Sequence, residues 1–185
     1  MRSLSALSLS LMVATVSSTP LHAAAQNGDE DAMQKHLSTI INAADVDMPD
    51  ERGLSPLMVA CYKGNTAVAF MLLDHGASAT MKDERGMTAL HLAALSGHPD
   101  LARMLLDHGA NVDAVEPSHD ATALHLAASN ANGCEFGGIL LANGATADIE
   151  DAQGMTPANV AESIEGHPCV EIYGGKADET PKGEL

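Results

Sequence analysis

The chain is poor in aromatic residues: its 185 residues include no Trp, two Tyr and two Phe. A hydrophobic core must therefore come from Leu, Ala, Val and Met, and small aliphatic side chains suit closely packed helices. The length is sufficient for one domain with a core of its own.

Basic residues are also scarce. The formal net charge is −16, and no Lys or Arg occurs between Arg103 and Lys176. Such a chain repels nucleic acid phosphates and anionic membranes, so we expect no nucleic-acid partner. The acidic charge either keeps a monomeric domain soluble or attracts a partner with a basic surface, and both readings stay open.

The three cysteines are Cys61, Cys134 and Cys169. Their odd number and the absence of a C-x-x-C pair argue against a disulfide framework and against a zinc site. We expect ordinary thiols that are buried or partly buried.

Long apolar stretches are missing as well, so no membrane span is expected. Residues 1–18 carry Arg2 and no acid, and a partly apolar run could end in a signal-peptidase site just before Thr19. The serines within this run, the odd cysteine count and the lack of a glycosylation acceptor favour an intracellular leader instead. The segment is thus a leader or a candidate signal peptide. The balance favours a cytoplasmic or nuclear protein, and a signal peptide would make the protein secreted.

A four-residue phrase recurs along the chain, beginning at Thr19, Ser55, Thr88, Thr122 and Thr156, at offsets of 36, 33, 34 and 34 residues. A second phrase, Leu-Leu followed after two residues by Gly-Ala, recurs in phase with it, beginning at Leu72, Leu105 and Leu140. A fixed period with two phrases in phase indicates an array of repeated structural units.

The third copy shows why one unit should be a helix pair. Thr88 is suited to capping the first turn of a helix through its hydroxyl, and Gly97 to ending that helix. A second apolar stripe then begins after Pro99 and runs to Gly109. Helices of two to three turns are marginal alone in water, so stacking of neighbouring units must stabilise them.

These residues resemble the ankyrin repeat family, whose signature is a T-P-L-H-x-A phrase in units of about 33 residues. The resemblance implies an all-α solenoid of stacked helix pairs with β-hairpin fingers and about five repeats. The implied repeat domain covers residues 19–173, with repeats near 19–51, 52–84, 85–118, 119–152 and 153–173. We expect the tail, residues 174–185, to be disordered.

Two copies depart from the pattern. In the first copy three extra residues are present, and Ala43 stands where later copies have a turn glycine. In the fourth copy two extra residues are present, and Asp120 replaces the turn glycine. The insertions in the fourth copy either reshape a binding finger or are loop growth without consequence.

No catalytic motif is recognisable, and seven of the nine histidines fall in register within the repeats. We therefore predict no catalytic residue, no metal ligand and no cofactor, and expect that the chain is not an enzyme. Cys61 and His119 are the side chains to test if turnover were ever detected.

Partners of the ankyrin family usually contact the fingers and the exposed positions of the first helix. Carried over by position, the partner-binding residues are Arg52, Leu54, Tyr62, Lys63, Arg85, Met87, Leu95, Ser96, Ser129 and Asn130. Met87 and Leu95 could instead pack between repeats, and the Asp-Glu-Arg-Gly phrases could serve only as turns. The predicted function is an adaptor, scaffold or inhibitor that binds another protein on its concave face. The alternative is a secreted or periplasmic factor with an extracytosolic partner.

Overall fold

The computed structural model describes residues 19–40, 43–130, 133–164 and 168–174. The proposed leader, residues 1–18, and all but the first residue of the proposed tail lie outside these ranges. The elements in chain order are α1 (Pro20–Asn27), α2 (Glu30–Leu37), α3 (Ala43–Val46), α4 (Pro56–Lys63), α5 (Thr66–Asp74), α6 (Ala89–Ser96), α7 (Pro99–Asp107), β1 (Val115–Glu116), β2 (Ala121–Thr122), α8 (Ala123–Ala128), α9 (Cys134–Ala142), α10 (Pro157–Glu162) and α11 (Val170–Tyr173).

The helices form five successive pairs, and each pair is one repeat: α1 with α2, α4 with α5, α6 with α7, α8 with α9, and α10 with α11. The first helices of the pairs pack against one another in an inner layer, α1, α4, α6, α8 and α10. The second helices pack in an outer layer, α2, α5, α7, α9 and α11. The predicted all-α solenoid of stacked helix pairs is confirmed.

The core runs along the whole stack between the two layers. Most of its large, fully buried side chains are leucines of successive repeats, namely Leu57, Leu72, Leu90, Leu101, Leu105, Leu124 and Leu140. Alanines on the inner helices, such as Ala60, Ala93 and Ala127, are fully buried and let neighbouring helices approach closely. Leu and Ala thus replace the missing aromatic residues over most of the stack.

The first helix of the third repeat begins after Thr88, as predicted, but the Thr88 hydroxyl is engaged with the ring of His91. Thr88 is the extended residue before α6, with φ −101° and ψ 169°. Its Oγ1 lies 2.8 Å from His91 Nδ1, and its backbone N–H donates to the same nitrogen at 3.2 Å. At the other end of the helix, Gly97 adopts the left-handed conformation with φ 70°, which a residue with a Cβ reaches only with strain.

The histidine of this cap also joins one repeat to the next. Because Nδ1 of His91 accepts hydrogen bonds, the ring proton sits on Nε2. That N–H donates to the backbone carbonyl of Ala121 in the fourth repeat, at 3.3 Å. His22 and His125 make the same kind of bond, to Leu54 at 2.8 Å and to Met155 at 3.0 Å. We call this arrangement the histidine bridge.

The second repeat departs from this arrangement. Met58 occupies the histidine position and is buried, and its backbone N–H donates to Ser55 Oγ at 3.3 Å. A thioether has no N–H to donate, so no histidine bridge joins the second repeat to the third. That boundary is held mainly by apolar contact between α4 and α6.

The first and fourth repeats differ as their sequences predict, with local consequences. Ala43 begins the short helix α3 rather than forming a left-handed turn. In the fourth repeat, Asp120 has φ 53° and takes the left-handed conformation that glycine has elsewhere. Short polar side chains such as Asp tolerate this region better than most. The strands β1 and β2 pair antiparallel on either side of this turn.

One expectation from the sequence was wrong. Cys134 and Cys169 form a disulfide with a Cα–Cα distance of 5.4 Å, and only Cys61 is a free thiol among the described residues. The two positions are 35 residues apart, and the stack brings α9 and the start of α11 together. An odd cysteine count excludes pairing of all three, but it does not exclude one bridge.

Tyr173 reinforces the same end of the stack. Its ring is buried against α9, and its Oη donates to the carbonyl of Gly133 at 2.7 Å. Gly137 leaves the room for the ring, because a Cβ built there would lie 2.6 Å from Tyr173 Oη. The fifth repeat is therefore docked by a covalent bond, a hydrogen bond and an aromatic ring.

Candidate functional site

A groove opens between the fingers and the inner helices of the second and third repeats. Its volume is about 440 Å³. We use the name groove for the cavity lined by Gln26, Arg52, Leu54, Val59, Tyr62, Lys63, Arg85, Leu92 and Leu95.

The fingers that border the groove are tight turns held by an aspartate. In the second repeat, Oδ1 of Asp50 accepts the backbone N–H groups of Arg52 and Leu54, both at 2.9 Å. In the third repeat, Oδ1 of Asp83 does the same for Arg85 and Met87, at 2.9 and 2.8 Å. The repeated Asp-x-Arg-Gly phrase thus fixes the backbone from which the arginine side chains project.

The electrostatics of Asp50 follow from these bonds. Partial burial raises the pKa of its carboxyl, but the backbone donors of Arg52 and Leu54 and the nearby guanidinium of Arg52 outweigh burial. The pKa of Asp50 therefore lies below its usual value of 3.8. The carboxylate stays ionised and continues to hold the turn.

The floor of the groove is apolar. Val59 and Leu92 are buried beneath it, whereas Tyr62 and Leu95 remain 53% and 42% exposed on neighbouring inner helices. Lys63 places its Nζ 5.7 Å from the centre of the Tyr62 ring, within the range of a cation–π contact. Large exposed apolar side chains at adjacent positions are a feature of protein-binding surfaces.

Six of the ten residues assigned to partner binding line the groove: Arg52, Leu54, Tyr62, Lys63, Arg85 and Leu95. The seventh, Met87, is buried and lines a second, smaller cavity of about 230 Å³ beside the finger of the fourth repeat. The alternative considered for Met87 and Leu95 was packing between repeats. Met87 does pack there, whereas Leu95 stays exposed.

The remaining three residues lie at the carboxyl ends of the inner helices. Ser96 Oγ donates to the carbonyl of Tyr62 at 2.7 Å, and Asn130 Nδ2 donates to the carbonyl of Leu95 at 3.2 Å. Ser129 is exposed, and its Oγ donates to the carbonyl of Leu126 at 2.8 Å. Ser96 and Asn130 thus tie neighbouring repeats together and hold the backbones of two groove residues.

The sequence analysis missed the role of Glu116, which replaces the finger aspartate in the fourth repeat. Its carboxylate is buried and accepts the N–H groups of Ser118 at 2.9 Å and His119 at 2.6 Å. Burial raises the pKa of Glu116, but these donors outweigh it and bring the pKa below its usual value. The turn of the fourth repeat has one residue more than the other fingers, and the longer side chain of Glu spans it. Glu in place of Asp in a longer turn was the sequence signal that could have revealed this role.

Cys61, one of the two side chains named as tests of catalysis, lies in the core. Cys61 is fully buried, and burial raises the pKa of its thiol to about 12, so the reactive thiolate is scarce at neutral pH. Within the described ranges, no three His, Cys, Asp or Glu side chains are grouped to hold a metal ion. No helix among the same residues is long and apolar enough to cross a membrane.

Comparison with known families agrees with the architecture. A family model described as ankyrin repeats (3 copies) matches residues 21–116 and residues 79–151. Ankyrin repeats generally mediate protein–protein interaction, and proteins built from them are typically not enzymes. The two matches together extend over residues 21–151, which is more than half of the chain. The chain therefore belongs to the ankyrin repeat family.

Proposed function

We propose that this protein is an adaptor, scaffold or inhibitor that holds one partner protein in the groove. The observation that carries the proposal is the exposure of Tyr62 and Leu95 side by side in an open cavity. Both side chains project from packed helices, and a preformed surface lowers the entropy cost of binding.

The composition of the groove suits a binding interface. Aromatic and arginine side chains contribute most of the binding energy at protein interfaces, and the groove contains Tyr62 with Arg52 and Arg85 around it. The arginines form the polar border, and the apolar floor lies between them. An anchor side chain of the partner would bury apolar area there while its polar neighbours contact the fingers.

The test is a paired comparison of two double variants in pull-downs from the native host. The variant Y62A/L95A removes the groove anchors. The control F70A/I172A removes two side chains of similar exposure, since Phe70 is 53% and Ile172 is 40% exposed on the outer helices α5 and α11. A partner retained by the wild type and the control, but not by Y62A/L95A, would support the groove as the binding site.

The partner found in this way should then be titrated against each variant. Loss of two anchors should weaken its affinity by about tenfold or more, because each anchor contributes more than about 1 kcal/mol. Equal affinity of Y62A/L95A and the wild type would overturn the assignment of this surface.

A second candidate function is that of a factor acting outside the cytosol, in a secreted or periplasmic setting. The disulfide between Cys134 and Cys169 favours it, because such bonds persist in oxidising compartments and are rare in the cytosol. The candidate signal peptide at residues 1–18 agrees with this reading. Thr19 is the capping residue of α1, so a cut just before it would leave the first repeat whole.

The compartment can be tested directly on protein isolated from the native host. We expect N-terminal sequencing to begin at or near Thr19 and mass spectrometry without reductant to show Cys134 linked to Cys169. A mature protein that retains Arg2 would exclude export through this leader. The result does not depend on the identity of the partner.

A further inference from the structure

The charge of the groove is opposite to the charge of the chain. Among the described residues, the Lys and Arg side chains are Lys35, Arg52, Lys63, Lys82, Arg85 and Arg103. Three of these six line the groove, and no Asp or Glu lines it. The lining is therefore positive in a chain with a formal net charge of −16, although each finger also carries two acids outside the lining, Asp50 with Glu51 and Asp83 with Glu84.

The groove arginines keep most of their hydrogen-bonding capacity available. Nη2 of Arg52 makes one long contact with Asp50, at 3.4 Å, and Nη2 of Arg85 makes one with Asp83, also at 3.4 Å. Both aspartates are directed mainly at the backbone of their own turn, as described above. The arginine side chains remain 76% and 68% exposed.

Arg103 on the outer layer provides the contrast. Its guanidinium contacts Asp100 at 3.2 Å and Glu135 at 3.0 Å, through different nitrogens. The acidic surface of the chain therefore does supply carboxylates to arginines elsewhere. At the groove, by comparison, Arg52 and Arg85 each have a single carboxylate contact, and it is longer, at 3.4 Å.

We infer that the groove binds an acidic segment of the partner, in which Asp or Glu residues flank one bulky apolar side chain. The inference rests on the proposed binding function and specifies the partner's chemistry. Carboxylates form paired hydrogen bonds with the two guanidinium groups, and Lys63 adds a third cation. The apolar side chain lies against Tyr62 and Leu95.

The spacing of the two fingers suits an extended segment. The packing of α4 on α6 sets the distance between the second and third repeats, roughly 8–10 Å between helix axes. An extended chain advances about 3.3 Å per residue, so carboxylates two or three residues apart reach both arginines. The overall negative charge does not prevent this, because the screening length is only about 8 Å at physiological salt and the contacts are direct.

Binding can be measured with a fluorescein-labelled peptide of about ten residues in which Glu and Gly surround one central Phe, long enough to cross both fingers. Two matched peptides carry Gln or Lys in place of every Glu. Fluorescence anisotropy at about 0.15 M salt, where distant charges are screened, gives the affinity for the full chain. We expect the Glu peptide to bind about tenfold or more tightly than the Gln peptide, and the Lys peptide to bind most weakly.

Variants then locate the binding to the groove. R52Q/R85Q should weaken binding of the Glu peptide by about tenfold or more, whereas the control R103Q should leave it unchanged. The reversed variant R52E/R85E should lose the Glu peptide and gain affinity for the Lys peptide. Circular dichroism should show the same helical content in all three variants.

The inference would be overturned if the Glu peptide failed to bind, if the Gln peptide bound equally well, or if R103Q weakened binding as much as R52Q/R85Q. Tighter binding of the Lys peptide to the wild type would assign the surface to basic partners instead. These failures differ from failure of the proposed function. A native partner lost on Y62A/L95A but retained on R52Q/R85Q would leave the groove as a binding site and remove only its acidic specificity.

Discussion

The boundary beneath the groove and the boundary at the carboxyl-terminal end of the stack are held in different ways. Between the second and third repeats, Met58 replaces the bridging histidine, and apolar contacts hold α4 to α6 together with the hydrogen bond from Ser96 to Tyr62. Between the fourth and fifth repeats, His125 bonds to Met155, a disulfide joins Cys134 to Cys169, and Tyr173 packs on α9.

The physical reason lies in the number of neighbours. A repeat in the middle of a stack is stabilised from both sides, whereas an end repeat has one neighbour and needs additional contacts to remain folded. The middle of this stack therefore tolerates the loss of a hydrogen bond beneath the groove. The end has acquired three kinds of attachment.

The largest expected effect comes from the middle of the core. Leu105 is fully buried in α7, so Leu105→Ala should lower the free energy of unfolding by about 2–5 kcal/mol. Leu106→Ala, at a partly buried position in the same helix, should cost less. Urea denaturation followed by circular dichroism measures both. A silent Leu105→Ala would contradict the account of a stack stabilised by its central leucines.

Removing the disulfide tests the carboxyl-terminal attachment. The bond closes a loop of 35 residues, and C134A/C169A should destabilise the oxidised protein by roughly 2–4 kcal/mol. Hydrogen exchange should accelerate in α9 and α11 and stay slow in α6 and α7, because unfolding begins at the released end. Reductant should reproduce the effect in the wild type and have none in the variant. If hydrogen exchange accelerated equally throughout the stack, the disulfide would not act specifically on the carboxyl-terminal end.

The packing of Tyr173 can be tested by two adjacent glycines of α9. At Gly137 a Cβ would approach the Tyr173 ring, with 2.7 Å to Cζ, whereas at Gly138 nothing lies within 4 Å. Gly137→Ala should therefore cost about 1–3 kcal/mol through displacement of the ring. Gly138→Ala should raise stability by about 0.5–1 kcal/mol, since Ala favours helix. If thermal melts showed that both substitutions change stability in the same direction, the result would contradict the docking of Tyr173.

His91 gives the stack a dependence on pH. Burial is the main cause that lowers the pKa of His91 below its usual value of 6.5. The stability that the neutral ring contributes is complete above pH 6.5 and is lost as pH falls toward the lower folded value, because the unfolded chain binds the proton first. His91→Asn should keep the cap, as Asn159 does in the fifth repeat, where its Oδ1 accepts the N–H of Thr156 at 3.2 Å.

The variant should lose the bond to Ala121, at a cost of about 1 kcal/mol near pH 7. Its free energy of unfolding should then fall less steeply than that of the wild type below pH 6.5. Urea denaturation at a series of pH values measures the difference, and parallel profiles would contradict a titrating role for His91.

The smallest expected effect comes from a substitution that makes the boundary beneath the groove more like the boundary at the carboxyl-terminal end. Met58→His should place an N–H near the carbonyl of Met87, the position that corresponds to Leu54 and Ala121 in the other bridges. A new histidine bridge should raise the free energy of unfolding by about 0.5–1 kcal/mol. A clear loss of stability would show that the buried thioether fills space that an imidazole cannot.

The sequence alone determined the architecture, because the same kinds of capping, turn and core residues recur in successive repeats. Capping residues such as Thr88, turn glycines such as Gly97 and the spacing of the leucines define one helix pair, and a single short pair is unstable without neighbours. The register of the histidines likewise indicated a structural role. Six of the ten residues assigned to the binding surface line one groove because their positions repeat with the fold.

Only the tertiary structure decided which residues meet across repeats. Cys134 and Cys169 are 35 residues apart, and their pairing depends on how closely α11 packs on α9. The burial of Met87, the exposure of Leu95 and the positive charge of the groove depend in the same way on how neighbouring repeats stack. Periodicity fixes the face on which a residue lies, but the distance between two faces, and so the contacts between them, arises from the packing of the whole stack.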